Sequence, residues 1–428
     1  MQKAYAIRKK MSQMEQSKSN PLAGRRLGKL VIACFAMFTL GFVYGWSVFS
    51  TPIAEEFLWE PTTLAFTFTL LMWMFCAGGF VGAKVCEFTN SHITVFLAAA
   101  SILIAFVATS LLARADAPWI LYLTYSLFGG LGVGMAYTVT MATALSWFPD
   151  RAGTASGILL LCYGASTMIL SSVAAYMFTL MYWRVAFPII AVAMAVILAV
   201  CGGVLLRRPT EEELALLPKP KAVAGQAAEE RRSYTTIEML RMPLFWSYVV
   251  WMIVCCTIAL GFTGNANQFA LSAGAEPALA VAMVGVYSVG NGVGRLLFGL
   301  VYDAIGTGRT ILLVAIAHGI AALLIAAGLM LQSVPLMIFA LVFAGISIGG
   351  TPVCGAGFAA TAFGPDHYAQ NFSILNLAII PGALIGPMVL SVSLSTFGGF
   401  IPGLLAGAAL SIVAICFALI TTKLLKRH

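Results

Sequence analysis

One arginine lies deep inside an otherwise apolar stretch of this chain. Of the 24 lysine and arginine and 16 aspartate and glutamate side chains, Arg295 is the only one that falls well inside a predicted membrane span. A buried cation in a membrane helix costs about 2.5–3.5 kcal/mol on insertion scales, so such a residue usually has a function. Its planar guanidinium matches a carboxylate through two parallel hydrogen bonds. The alternative is a structural arginine that reaches the interface or bonds to backbone carbonyls.

Sequence motifs of enzymes and pumps are absent or out of context. Residues 345–349 (GISIG) fit the GxSxG pattern of hydrolases, but no strand precedes them and the run is apolar, which indicates helix packing. No HExxH motif, Walker loop or GxGxxG motif after a strand occurs, so we expect neither an enzyme nor an ATP-driven pump, and no metal or cofactor. For His318, in the ninth predicted span, a packing role is favoured over a proton relay.

The elements that position Arg295 follow from composition. The chain of 428 residues is 61% hydrophobic and only 9% charged, whereas soluble domains are roughly 25% charged. A bilayer core needs about 20 apolar residues per helix, and runs of that length recur along almost the whole sequence. We predict an all-α polytopic membrane protein with spans at 28–50, 63–84, 93–113, 118–142, 153–176, 184–206, 244–268, 278–301, 310–330, 335–360, 371–396 and 400–422.

The polar segments predict the domain organisation. A basic tail (1–27) precedes a six-helix bundle (28–206), and a polar linker (207–243) leads to a second six-helix bundle (244–422) and a short tail (423–428). Within the linker, Thr235 and Glu238 have capping-box spacing, which predicts a short helix before the seventh span. The first apolar run has no small-residue cleavage pattern after it and is expected to remain as the first helix.

Lysine and arginine predict the orientation. Residues 1–29 hold eight basic side chains against one acid, seven more basic residues lie in the linker, and three close the chain. By the positive-inside rule, both termini and the linker are cytoplasmic in a cell inner (plasma) membrane. The net charge of +8 is concentrated next to spans, which favours membrane lipids as partners and not nucleic acid.

Small residues and a repeat describe the bundle. All nine cysteines except Cys86 fall inside predicted spans without metal-ligand spacing, so we interpret them as packing residues. Glycines four residues apart, such as Gly153 and Gly157, allow helix backbones to approach closely. Residues 147–151 (WFPDR) follow the fourth span and residues 363–367 (FGPDH) follow the tenth. This internal repeat predicts two related six-helix halves.

Residues 299–309 (GLVYDAIGTGR) resemble the loop signature of the major facilitator superfamily. The counterpart at 82–88 (GAKVCEF) is degenerate, because Cys86 stands where the superfamily has aspartate. The resemblance implies the major facilitator fold with a gating latch that does not touch substrate. The gating and structural candidates are Asp303, Gly306, Arg309, Asp150 and Arg151.

A narrower resemblance is to the oxalate/formate antiporter family, near the monocarboxylate porters. Five segments carry it, spread over most of the chain: 44–52 (YGWSVFSTP), 132–157 with GVGMAY and WFPDRAGTASG, 163–164 (YG), 239–246 (MLRMPLFW) and 291–295 (NGVGR). The resemblance implies that Arg295 meets the substrate carboxylate and that three tyrosines line the cavity, although tyrosines at these positions can equally be packing residues. The candidate substrate-binding residues are Arg295, Tyr44, Tyr137, Tyr163, Asn291, Trp46 and Asn376.

Departures from that family point to the substrate. Ile379 stands where oxalate carriers have a lysine, and Ile348 and Pro352 replace aromatic residues. A dianion favours two cationic partners and only Arg295 is present, so a small monocarboxylate, or a carboxylate with an apolar part, is favoured over oxalate.

The related proton symporters carry an aspartate where this chain has Asn291. The absence of that proton acceptor favours anion exchange by alternating access. We expect the chain to function as a monomer. The alternatives are a proton-coupled monocarboxylate symporter, an exporter of apolar or cationic drugs, a membrane receptor and an intramembrane enzyme.

Overall fold

A computed structural model describes residues 22–42, 46–59, 61–218 and 233–427. Within these ranges the regular structure is helical. The helices of the first half are α1 (Ala23–Leu40), α2 (Trp46–Phe57), α3 (Pro61–Phe88), α4 (Ser91–Leu112), α5 (Trp119–Leu145), α6 (Ala152–Leu180) and α7 (Trp183–Leu205). Two short linker helices follow, α8 (Glu211–Leu216) and α9 (Thr236–Arg241). The second half comprises α10 (Pro243–Ser272), α11 (Pro277–Ile305), α12 (Thr307–Met330), α13 (Val334–Phe363), α14 (Tyr368–Asn376), α15 (Ile379–Phe397) and α16 (Ile401–Leu425).

The number of spans agrees with the predicted fold class. In the described ranges, ten helical segments are long and apolar enough to cross a membrane. The other two predicted spans correspond to α1 with α2 and to α6, in which Ala152–Ser166 is a shorter described apolar stretch. Helices satisfy their backbone hydrogen bonds internally, as lipid requires. The prediction of an all-α polytopic membrane protein is confirmed, and the predicted count of twelve spans is consistent with these helices.

Local sequence explains how the helices begin and end. The Asn90 side chain accepts a hydrogen bond from the Ile93 backbone N–H at 2.9 Å and caps α4. Proline occupies the first turn of α10, α11, α13 and α16, where its missing N–H costs nothing. The predicted capping box before α9 is present, because Thr235 and Glu238 each cap the other's backbone N–H.

The span predicted as one helix at 371–396 is in fact two, α14 and α15. Leu377 and Ala378 lie between these two helices, and each donates its N–H to the carbonyl three residues earlier. The Leu377 N–H, for example, donates to the Ile374 carbonyl at 3.2 Å. Pro381 causes this break, because it has no N–H for the Leu377 carbonyl and its ring crowds that carbonyl. Within the predicted span at 28–50, residues 43–45 lie outside the described residues.

The two halves pack against each other mainly through six helices, three from each half. Helix α6 of the first half lies on α11 and α13, while α3 and α5 lie on α14. We call the end of the bundle that carries residues 22 and 427 the termini side, and the other end the far side. The residues 147–151 and 363–367 that carry the repeat both lie at the termini side, since Asp150 pairs with Arg26 and the Phe363 carbonyl accepts the Tyr234 N–H.

Candidate substrate site

Arg295 lies where α11 of the second half crosses α6 of the first half. The two helices approach closely here: a Cβ added at Gly157 of α6 would lie only 2.6 Å from the Arg295 carbonyl oxygen. On the other face of α11, a Cβ at Gly294 would lie 2.1 Å from the Ile346 carbonyl oxygen of α13. Only glycine permits such contacts, and they hold Arg295 at the interface of the two halves.

The guanidinium of Arg295 has one hydrogen-bond partner in the described part of the chain. Its Nη1 donates to the backbone carbonyl of Leu160 in α6, across the interface. Its Nε is buried and makes no hydrogen bond. The partner is a neutral carbonyl, so the positive charge of the side chain is not balanced by it. Such a group is ready to accept an anionic partner.

Asn291 precedes Arg295 by one helical turn and has an unused acceptor. Its Oδ1 atom is buried without a hydrogen bond. The Asn291 backbone lies against α13, where a Cβ at Gly349 would come within 2.6 Å of its carbonyl oxygen. Residues four apart share a helix face, so Asn291 and Arg295 lie on one side of α11. Their two unpaired atoms, Asn291 Oδ1 and Arg295 Nε, belong to one polar patch of this helix.

Two of the three predicted tyrosines lie together beside this region. The rings of Tyr137 in α5 and Tyr163 in α6 are 5.2 Å apart, and both side chains are buried. Phe75 of α3 lies 5.2 Å from Tyr137, and Phe372 of α14 stacks on it at 6.1 Å. Both halves therefore contribute to one aromatic cluster, and Gly164, next to Tyr163, meets the guanidinium.

The remaining candidates are placed differently. The indole N–H of Trp46 donates to the Leu64 carbonyl at 3.0 Å and its ring packs 4.7 Å from Tyr125, inside the first half. Asn376 is buried where α14 meets α3, and its carbonyl accepts the Cys76 thiol at 3.8 Å. Tyr44 lies outside the described residues. The structure thus groups Arg295, Asn291, Tyr137 and Tyr163, and gives Trp46 a packing contact.

The predicted latch joins the two halves at the termini side. The Asp303 carboxylate at the end of α11 accepts the backbone N–H groups of Gly153 at 2.8 Å and Thr154 at 2.7 Å. These N–H groups belong to the first turn of α6, where a negative charge is favourable. Gly306 has φ +80° and makes the tight turn between α11 and α12, whereas Arg309 is exposed.

Asp150 and Arg151 act within one half. The Asp150 carboxylate pairs with Arg26, whose guanidinium also lies 4.7 Å above the Phe148 ring. Arg151 is largely exposed and its Nε is 3.7 Å from Asp150. This network anchors the start of α1 to the loop between α5 and α6.

A second contact between the halves was missed in the sequence. Glu87, in the degenerate copy of the motif, accepts a hydrogen bond from Gln370 Nε2 of α14 at 2.5 Å and pairs with Lys84 at 3.0 Å. It lies next to Cys86, which occupies the motif's aspartate position. The sequence signal that could have predicted this contact is the acid Glu87, one residue after the position where the motif's aspartate is missing.

The contact of α11 with α6 extends at least to Gly292 of α11. A Cβ at Gly292 of α11 would lie 2.9 Å from Leu161 of α6, whereas at Gly285, two turns nearer the far side, nothing lies within 4 Å.

The described residues contain no group of three or more side chains suited to a metal. His318 is buried with Nδ1 2.8 Å from the Val314 carbonyl, and Gly345 packs on α11.

Two packed six-helix halves with a charged site between them define a multi-pass membrane transporter. The sequence profile of the Major Facilitator Superfamily matches residues 31–274, and the chain belongs to this superfamily. The transporter YhjX of Escherichia coli (strain K12), described as uncharacterized and of this type, is 27% identical over 359 residues, 83% of this chain and 85% of that protein. The oxalate:formate antiporter of Oxalobacter formigenes is 24% identical over 427 residues, 95% of this chain and 94% of that protein.

Solved structures have the same fold. The proton:xylose symporter XylE superimposes with a TM-score of 0.69 and 13% identity, covering 92% of this chain and 94% of that one. The transporter FucP in its outward conformation gives a TM-score of 0.62 and 11% identity, covering 92% and 98%. The superfamily predicted from residues 299–309 is confirmed, and the prediction that the chain is not an enzyme is confirmed with it.

Proposed function

We propose that this transporter exchanges small monocarboxylates across the cytoplasmic membrane by alternating access. The observation that carries the proposal is the guanidinium of Arg295 between the two halves, with a neutral carbonyl as its partner. A carboxylate that enters the cavity gains a charge-assisted, bidentate hydrogen bond there. The similarity to an oxalate:formate antiporter over 95% of the chain supports the same class of substrate.

An anion is favoured because no carboxylate in the described ranges pairs with Arg295. Asp303 follows it by eight residues, about 12 Å along the helix, and both of its oxygens already accept backbone N–H groups of α6. The position one turn before Arg295 is Asn291, which is neutral. The counter-charge must therefore come from the substrate.

A monoanion is favoured over a dianion because the second half is apolar at the positions that oxalate carriers use. Ile379, at the start of α15, packs against the main hydrophobic core, and Ile348 of α13 is 8% exposed. Neither can serve as a second cation. A substrate with one carboxylate and a small apolar part suits this combination of Arg295, aromatic rings and isoleucines.

Exchange follows from the charge of the empty carrier. Occlusion of an unbalanced guanidinium between closed gates costs several kcal/mol. A bound monoanion removes that cost and lets the halves move past each other. Reorientation is therefore fast for the loaded carrier and slow for the empty one, which is the kinetic condition for exchange.

The orientation completes the proposal. Basic tails and a basic linker support a cytoplasmic location for both termini. In this proposal the packed termini side is the cytoplasmic gate and the carrier faces outward. The site residues come from both halves of one chain, which supports function as a monomer.

Proteoliposomes preloaded with unlabelled substrate test this function. Formate, lactate and oxalate are compared as labelled external substrates, and uptake should be much faster than into empty vesicles and independent of an imposed pH gradient. Rapid accumulation into empty vesicles driven by the pH gradient would establish a proton symporter instead. Transport of apolar cations without any carboxylate uptake would establish a drug exporter.

A further inference from the structure

We propose that Gly164 is a positioning residue, which with the Leu160 carbonyl forms a seat for the guanidinium of Arg295. The inference rests on the proposed function, because it explains how the carboxylate-binding group is oriented before substrate arrives. The guanidinium seat consists of one turn of α6, from Leu160 to Gly164. Arg295 reaches it from α11 of the other half.

The three heavy atoms nearest to a side chain at Gly164 all belong to the guanidinium. A Cβ added there would lie 2.7 Å from Nη1, 3.2 Å from Cζ and 3.7 Å from Nη2 of Arg295. Carbon does not approach other heavy atoms to 2.7 Å without a displacement, so any side chain at this position moves the guanidinium. The hydrogen-bond acceptor, the Leu160 carbonyl, is one turn earlier on the same helix.

Other glycines of the same interface serve a different purpose. A Cβ at Gly153 would lie 2.7 Å from the Gly299 carbonyl oxygen, and one at Gly157 would lie 2.6 Å from the Arg295 carbonyl oxygen. Backbone cannot yield locally, so these glycines set the distance between α6 and α11. At Gly164 the nearest atoms are instead the end of one side chain, so its lack of a side chain serves Arg295 and not the approach of the helices.

The guanidinium seat fixes one edge of the guanidinium and leaves the other edge for substrate. Arginine has large rotamer entropy, up to about 2 kcal/mol when it is fully ordered. With Nη1 tied to Leu160 and the guanidinium over Gly164, much of that ordering is complete before the substrate binds. Preorganisation of this kind raises the affinity of the carrier for its substrate, because less conformational entropy is lost on binding.

The first test measures KM and Vmax of carboxylate exchange for the wild type, Gly164→Ala and Gly292→Ala. Gly164→Ala displaces the guanidinium from its acceptor, so we expect KM to rise about tenfold, as for loss of one charged hydrogen bond, with Vmax within about twofold. Gly292 is the matched control on the same helix pair. Its added Cβ would meet only Cδ1 of Leu161, a flexible end, and both constants should stay within about twofold.

The second test separates positioning from helix packing. Gly164→Ala is introduced into wild type and into Arg295→Ala, and the melting temperatures of the purified, substrate-free proteins are compared. Once the guanidinium is removed, the added methyl group has room, so no lowering is expected in the Arg295→Ala background. An equal lowering in both backgrounds, or an unchanged KM in the first test, would overturn the inference. Normal exchange by Arg295→Ala alone would instead contradict the proposed function.

Discussion

Asp303 and Gly153 join the two halves of the transporter at the termini side. The Asp303 Oδ1 atom lies 2.8 Å from the Gly153 backbone nitrogen, and Oδ2 takes the next N–H group of α6. The acid therefore caps a helix of the opposite half and does not reach the substrate site. The contact exists only while the helices α6 and α11 are together at this end, and we predict that it acts as a latch for one conformation.

Asp303→Asn should weaken that latch, because the charge that favours the α6 N-terminus is lost and one amide atom becomes a donor. In a variant that retains Cys76 as its single cysteine, we expect an impermeant thiol reagent on the termini side to label Cys76 several-fold faster. Cys76 is buried under α14, so its labelling reports opening. Asp150→Asn is the control, since Asp150 pairs within one half. Equal labelling rates in the two variants would contradict the latch.

Arg295→Ala should reduce carboxylate exchange at least about thirtyfold, as loss of one partner of a desolvated charge pair costs about 2–5 kcal/mol. Arg295→Lys should recover little, because an ammonium offers no planar fork. Uptake of labelled formate and lactate measures both effects, with insertion checked by gel filtration. Arg208→Ala, in the exposed linker, is the charge-matched control and should transport normally. Normal transport by Arg295→Ala would assign the residue a structural role.

Ile379→Lys should shift selectivity toward dicarboxylates, because it adds the second cation that a dianion requires. We expect the ratio of oxalate to formate affinity to rise about tenfold, the size of one charged hydrogen bond, in competition assays. Ile380→Lys is the control: it adds the same charge one position along the helix, where the side chain points about 100° away. An increase with both variants would indicate a general charge effect, and no increase with Ile379→Lys in a folded protein would place position 379 outside the cavity.

Leu58 and Glu212 should lie on opposite sides of the membrane. Both are exposed, and the positive-inside rule places the linker with Glu212 in the cytoplasm. In a cysteine-less background we expect an impermeant reagent added to intact cells to label Leu58→Cys and not Glu212→Cys. Permeabilised cells, in which both are labelled, provide the control. Labelling of position 212 from outside would reverse the topology.

Glu213 should make the linker sensitive to acid. Arg207 donates two hydrogen bonds to its carboxylate, at 2.6 and 2.8 Å, and these bonds lower its pKa to about 2. Because the pKa in the folded state lies below the unfolded value, the stabilisation is complete above about pH 5 and is lost as the pH falls toward 2. Melting temperatures measured from pH 7 to pH 3 should fall less steeply for Glu213→Gln than for wild type. Parallel curves would show that this pair does not contribute.

The sequence by itself determined the class of fold and pointed to Arg295 as the candidate charged residue of the site. A span-length apolar run repeats along the chain, and an arginine within such a run is conspicuous because lipid makes an ionised side chain costly. The signature at residues 299–309 also identified the superfamily from sequence alone, because its glycine turn and its acid are local features of the chain.

Tertiary structure decided what each residue touches. Gly164 is one of 41 glycines, and only the crossing of α6 and α11 shows that its missing side chain accommodates a guanidinium. Glu87 and Gln370 are 283 positions apart in the chain, and no local pattern joins them. Trp46 shared a motif with Tyr44, yet its indole donates to Leu64 inside one half. Periodicity and burial are properties of single helices, whereas these contacts depend on how one helix is rotated against another, which the packing of the whole bundle sets.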